Sequence, residues 1–489
     1  MKRALLAVLA ILLPFATAAQ APRSSDVTTY HDNPARTGNF VVRGLTWERA
    51  RALRLDPGFR ARISGHVYAQ PLYWQGGGGA GRLIVATESN RVYALDAASG
   101  RTVWERTLGP AVPLSELPCG NIDPLGVTGT PVIDPATATL YLDAMVRGAS
   151  GAPDHRVFAL SLADGSVRSG WPVSVAARLG ATGERFIAAD QNERGALAIL
   201  GNRVYVPYGG HFGDCASYHG WVVGLPLQRP EPIESWHTLA DAGGIWAPGG
   251  IASDGTLLFV STGNTMGARR WSGGEAVIRL DPALHFSGAL KDFFAPRDWQ
   301  ALDERDEDLG GVAPVLFEAG GRPLVLALGK DGKAYLLDRR NLGGIGGSLA
   351  VVRVSLRSIR TAAAEYPAPD GGTMVAFQGR GSDCPGASHG QLTVLRIGVA
   401  PPSIATAWCG DVNGAGAPIV TTTDGAAQPI VWMLGAEGND RLYGFRGDTG
   451  VRIFVSAPLP GLRHFDTLIA TRDRLYVAAD NAVYAFVFR

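Results

Sequence analysis

The chain has 489 residues, 46% of them hydrophobic and 18% charged, with a formal net charge of +1. That balance suits an ordered chain with a large core and gives no electrostatic footing for a nucleic acid or an anionic membrane surface. Partners are therefore expected to be a small molecule or a protein.

The chain opens MKRALLAVLAILLPFATAAQA, two positive charges followed by a short apolar run and small residues suited to cleavage after Ala18 or Ala21. Residues 1–21 read as a secretory signal and residues 22–489 as one domain, which predicts a periplasmic or secreted protein. Pro14 interrupts the apolar run, and no later stretch is long and apolar enough to span a bilayer, so no membrane insertion is expected.

Beyond this segment, one pattern recurs: a turn of Gly, Asp, Asn or His, then a short apolar strand. Its strands start at Val92, Val157, Val222, Val277, Ala334, Leu392, Leu442 and Val483, at intervals of 65, 65, 55, 57, 58, 50 and 41 residues. A second β-rich run precedes each copy, as in RLIVAT, TLYLDA and RVYVPY, and another strand opening in Pro or small residues precedes that. The 64 glycines and 31 prolines supply the many turns such short strands need.

Each unit thus holds about four strands and cannot bury both faces without neighbours. The predicted fold is all-β, an eight-bladed β-propeller of four-stranded antiparallel blades. The last repeat lacks a fourth strand, and residues 51–63 (RALRLDPGFRARI) lie unpartnered before the first blade. This N-terminal strand is expected to complete the last blade and close the ring, which removes exposed sheet edges.

Four cysteines occur, at 119, 215, 384 and 409. In an exported chain they are expected to pair. Cys384 and Cys409 fall in one repeat, which favours Cys384–Cys409 and leaves Cys119–Cys215. No CxxC or CxxCH is present, so the sequence builds in neither a thiol redox centre nor a c-type haem.

One hairpin carries residues that strands do not need. In GGIWAPGGIASDGTLLFVSTGNT (243–265), Trp246 opens the first strand among glycines and Asn264 closes the second. The stretch ALDAASGRTVW (94–104) resembles the repeat of the pyrroloquinoline quinone (PQQ) propellers, and residues 191–342 resemble the quinoprotein alcohol dehydrogenases, methanol dehydrogenase among them. That resemblance implies that Trp246 stacks on the quinone plane and that Asn264 gives an amide oxygen to Ca²⁺. It puts Asp308, in DERDEDLGGV, at the catalytic base, and Lys330, in ALGKDGKAYLLDRRN, against the quinone oxygens.

The chemistry suits those residue types. Oxidising an alcohol needs a carboxylate to take the hydroxyl proton, and a cation near the acceptor stabilises the charge that develops on reduction. The sequence also departs from the family. His211, in YGGHFGDCASYHG, stands near the position of a metal-binding glutamate, and Tyr68, in YAQPL, replaces a second glutamate. His211 is retained as a metal candidate, with Asp214 and His219 close by in sequence and His66 and His464 before the first strands of their blades. Imidazole, however, suits a transition metal better than Ca²⁺.

Two functions follow from these residues. One is a PQQ- and Ca²⁺-dependent dehydrogenase acting on an alcohol or sugar-like substrate and passing electrons to a separate carrier. The alternative is a non-catalytic propeller scaffold that binds a ligand or protein partner in the cell envelope. A metal-dependent enzyme built on His211 to His219 is a lesser third.

Overall fold

A computed structural model describes residues 26–76, 79–148, 150–368, 372–386 and 390–488. The predicted signal segment lies outside the described residues. Eight sheets form the expected eight-bladed propeller. The strands predicted at Val92, Val157, Val222, Val277, Ala334, Leu392, Leu442 and Val483 each fall in the third strand of a blade. In blade 4, for instance, Ala252–Ser253, Leu258–Thr262, Ala276–Leu280 and Phe293–Ala295 pair antiparallel from the axis outward.

Both faces of these strands are covered, which is why they read as continuous apolar runs rather than alternating ones. Val92, Val157, Val222, Val277 and Leu336 are all buried to 0% exposure. Neighbouring blades are keyed together by tryptophans. Trp104 of blade 1 donates from Nε1 to Leu162 O of blade 2 at 3.0 Å, and Trp408 of blade 6 donates likewise to Gly447 O of blade 7 at 3.0 Å. A Cβ on Gly165 would come 2.6 Å from Trp104, and one on Gly450 would come 2.8 Å from Trp408. The turns Asp164–Gly165 and Asp448–Gly450 therefore each seat the ring of the preceding blade.

The ring closes as predicted. Arg54–Leu55 pairs antiparallel with Val487 and Phe486 as the outer strand of blade 8. The disulfides are Cys119–Cys215 and Cys384–Cys409.

Two additions were not anticipated. Gly344–Ile345 adds a fifth, parallel strand to the outside of blade 4. More consequentially, residues 27–42 line the axis. Val27 bonds Tyr73 O of blade 1 at 2.8 Å, and Thr28 O accepts from Ile133 of blade 2 at 2.8 Å. Pro34, Ala35, Thr37 and Gly38 carbonyls accept from Ser253, Leu316, Glu365 and Val420 of blades 4 to 7. The buried Arg36 donates to Leu197 O of blade 3, Ile251 O, Tyr30 O and Thr29 Oγ1. Tyr30 packs against Ala196, Ala362 and Ala417, the small residues at the heads of three inner strands. Small side chains there are what leave room for a tyrosine on the axis.

Candidate functional site

All inner strands run the same way, so the loops before them and the turns between second and third strands share one end of the axis. Trp246, Asp308 and Arg194 sit in such loops, and Asn264 and Lys330 in such turns. They form the mouth of a funnel. The inner strand of blade 4 begins at Ala252 rather than at Trp246, because Gly249 and Gly250 turn the chain first, Gly250 at φ +57°. Gly249 rests on the plug beneath, where a Cβ would lie 3.7 Å from Tyr30.

Three of the expected residues meet. Trp246 Nε1 donates to Asp308 Oδ2 at 2.7 Å, and Lys330 Nζ lies 2.7 Å from Asp308 Oδ1. Lys330 Nζ also stands 5.1 Å from the Trp246 ring centre and 2.5 Å from Asp306 Oδ1. Asp308 is fully buried, whereas Asp306, two residues earlier in the same acidic run, is exposed in left-handed conformation. The short helix Trp299–Arg305 ends there, and Asp308 follows it inward against Trp246 and Lys330. Burial raises the Asp308 carboxyl above the ordinary range, offset in part by Lys330 and the Trp246 N–H. For Lys330, burial works to lower its basicity, but Asp308 and Asp306 outweigh it and leave the ammonium raised.

Asn264 adjoins this cluster. Gly243 N donates to Asn264 O at 2.7 Å and Gly263 N to Gly244 O at 2.9 Å, so the two ends of the hairpin run side by side. A Cβ on Gly263 would fall 2.7 Å from Asp308 Oδ2 and 3.2 Å from Trp246 Nε1. Glycine at this point is what lets the carboxylate and the indole meet. Asp303 then fixes the turn, accepting from Thr265 N and Oγ1 at 2.9 and 2.7 Å.

His211 points elsewhere. It is buried, its Nε2 donates to Ala189 O at 2.9 Å, and burial lowers its pKa to about 4. His219 Nδ1 donates to Ala240 O at 2.9 Å, and Asp214 accepts from Tyr218 OH at 2.6 Å. His66 pairs with Asp480 across the seam between blades 1 and 8. Among the described residues no group of three or more His, Cys, Asp or Glu is placed to hold a metal ion.

The donor set therefore does not fit Ca²⁺, which takes six to eight oxygens. Asn264 offers an amide oxygen, both oxygens of Asp308 already face Trp246 and Lys330, and the position of the glutamate holds a histidine turned toward a backbone carbonyl. A flat anionic quinone fits better, because a part-exposed indole at the funnel mouth lies beside a retained ammonium.

A family model described as outer membrane protein assembly factor BamB matches residues 45–118 and 80–275. Over the matched region, residues 45–275, the chain is similar to propellers of the PQQ type. Quinohemoprotein alcohol dehydrogenase ADHIIG from Pseudomonas putida HK5 is similar over 95% of this chain and 80% of its own, at TM-score 0.66 and 12% identity. A europium-containing methanol dehydrogenase covers 94% of this chain and 98% of its own, at TM-score 0.64 and 13% identity. BamB from Moraxella catarrhalis covers 89% and 98%, at TM-score 0.51 and 14% identity. At these identities the likeness speaks to the fold alone. A comparison with curated proteins gives no match.

The funnel of this propeller also holds residues that sequence reasoning did not single out. Arg194 Nη2 donates to His464 Nε2 at 3.2 Å and stacks its guanidinium 4.5 Å from the Phe465 ring centre. Arg194 occupies the same kind of loop before an inner strand as Trp246, which is the signal that points to it.

Proposed function

We propose that this chain is an exported oxidoreductase of the quinoprotein kind, oxidising an alcohol or sugar-like substrate at the funnel mouth and passing electrons to a separate carrier. The observation that supports it is the meeting of Trp246, Asp308 and Lys330, drawn from three separate segments, at 2.7 Å between Asp308 and each partner. A bound quinone such as PQQ would supply the two-electron acceptor.

The chain's own residues account for the rest. The Trp246 ring would carry the flat cofactor, held in its plane by the Asp308 carboxylate. Asp308, fully buried and with a raised pKa, takes the substrate hydroxyl proton. Lys330 neutralises the Asp308 carboxylate, and its ammonium would offset negative charge on a reduced acceptor bound beside it. This reading routes no step through Ca²⁺.

It is tested by an alcohol and sugar screen with PQQ and an artificial electron acceptor, in the presence and absence of EDTA. Turnover that survives EDTA and vanishes in Asp308→Asn supports it; no turnover on any substrate refutes it.

A second reading, a non-catalytic scaffold of the cell envelope, is favoured by one observation. The Lys330–Asp308 pair is complete within the chain and requires no ligand to balance it. Binding of an envelope protein by a chain that ignores PQQ would select this reading.

A further inference from the structure

Where blades 1, 2 and 3 meet, the side-chain oxygens Glu88 Oε1, Thr128 Oγ1, Asn192 Oδ1 and Glu193 Oε1 are buried and make no hydrogen bond. Their residues are between 0% and 6% exposed. Glu88 lies in the turn between the second and third strands of blade 1, and Thr128 in the loop before the inner strand of blade 2. Asn192 and Glu193 lie in the corresponding loop of blade 3. A buried acceptor without a partner is costly, and these stand on three neighbouring loops, where one ligand can serve them together.

The blade 2 loop ties them to one place. Glu88 Oε2 accepts from Gly126 N at 2.7 Å and Glu193 Oε2 accepts from Gly129 N at 3.1 Å, so carboxyls from the two flanking blades hold this loop on either side of Thr128 in sequence. Each carboxyl commits one oxygen to a backbone N–H and keeps the other free. Thr128 stands close enough to Glu88 to lower its pKa, yet the free oxygens of the two close no hydrogen bond. Glycine is required at 129, because a Cβ there would fall 2.1 Å from Glu193 Oε1.

The charge around them favours a cation. Glu193 is repelled by Asp143 and by Glu88, and Glu88 is repelled by Asp480, while Arg194 attracts Glu88. The free atoms are two carboxyl oxygens, an amide oxygen and a hydroxyl oxygen, which suit a hard cation rather than a transition metal.

We propose that Glu88, Thr128, Asn192 and Glu193 form a Ca²⁺ site that clamps blades 1, 2 and 3 together beside the funnel. The carboxylates supply the charge, the amide and hydroxyl supply neutral ligands, and water completes the coordination shell. With two acidic ligands it differs from a cluster of three or more His, Cys, Asp or Glu, of which none is placed to hold a metal among the described residues. It is also separate from the hairpin position at Asn264, since none of its ligands comes from blade 4 or 5. The site requires neither a quinone nor turnover.

The probe is Ca²⁺, titrated calorimetrically into the full chain after EDTA treatment and dialysis, with thermal melts run with and without the ion. Saturable binding and a higher melting temperature are expected. Affinity should fall about tenfold or more in Glu88→Gln and in Glu193→Gln, and by less in Thr128→Val. Asn264→Ala is expected to bind as wild type does. Melts in EDTA separate lost binding from lost folding, and Thr128→Val, which removes a neutral ligand and no charge, carries the test if a glutamine variant does not fold. No heat and no thermal shift with wild type overturns the site. So does wild-type affinity in the folded variants of Glu88, Glu193 and Thr128, or binding that Asn264→Ala abolishes.

Discussion

Trp246 Nε1 donates to Asp308 Oδ2 across 62 residues of sequence. The bond joins the ring platform to the buried carboxylate and ties the loops before blades 4 and 5 into one wall. Replacing Asp308 by Asn keeps an acceptor for the indole but removes the proton acceptor and the counter-ion of Lys330. Turnover is expected to fall by about 10²- to 10⁴-fold, measured as kcat with an artificial acceptor. Asp308→Ala, which opens a cavity and leaves the ammonium only the exposed Asp306, is expected to cost about 3 kcal/mol in urea denaturation.

Glu88 gives the pH prediction. It is fully buried, with Oε2 accepting from Gly126 N at 2.7 Å and Oε1 unpartnered. Burial raises its pKa from 4.5 to about 7, against the opposing pull of the Gly126 N–H. Between those values the folded chain holds a proton that the unfolded chain has lost, so this group's contribution to stability declines as pH rises from about 4.5 to 7. His31, buried and lowered to about 3, acts in the opposite sense, its contribution being lost as pH falls below 6.5. Glu88→Gln isolates the first effect: between pH 5 and pH 7 the variant is expected to lose less stability than wild type by a few kcal/mol, read from denaturant midpoints.

The axial plug is tested through Arg36. Its guanidinium makes four hydrogen bonds that tie residues 29 and 30 to the blade 3 and blade 4 inner strands. Arg36→Ala leaves two buried inter-blade carbonyls, those of Leu197 and Ile251, without that donor. At about 1–3 kcal/mol for each stranded group, the melting temperature should drop clearly, with faster hydrogen exchange at the heads of the inner strands.

The disulfides close loops of different length, 96 residues for Cys119–Cys215 and 25 for Cys384–Cys409. Chain entropy predicts that the paired Cys→Ser substitutions cost about 4.7 and about 3.5 kcal/mol respectively. Denaturant titration of the two double variants checks the order.

Much of the fold was legible because it rests on local signals. The turn-and-strand pattern at Val92 and its seven counterparts marks the third strands, and the missing fourth strand after Phe488 left a gap that Arg54–Leu55 fills. The plug was not legible. Residues 27–42 make their bonds one or two per blade to strands far away in sequence, so no period records them. In the site, the resemblance picked out Trp246, Asp308 and Lys330, but the acidic run DERDED does not itself display which carboxylate is buried. Only the left-handed turn at Asp306 separates an exposed carboxylate from a buried one two residues on. Arg194 was missed because its neighbours, His464 and Phe465, come from a blade 270 residues further along the chain, which no sequence pattern displays.

The most direct test of the account is a fluorescence titration of the purified protein with PQQ, run in EDTA and again with excess Ca²⁺. The account predicts saturable quenching that is the same in both and is lost in Trp246→Ala. Absence of quenching under both conditions, or binding that survives the loss of Trp246, would contradict it.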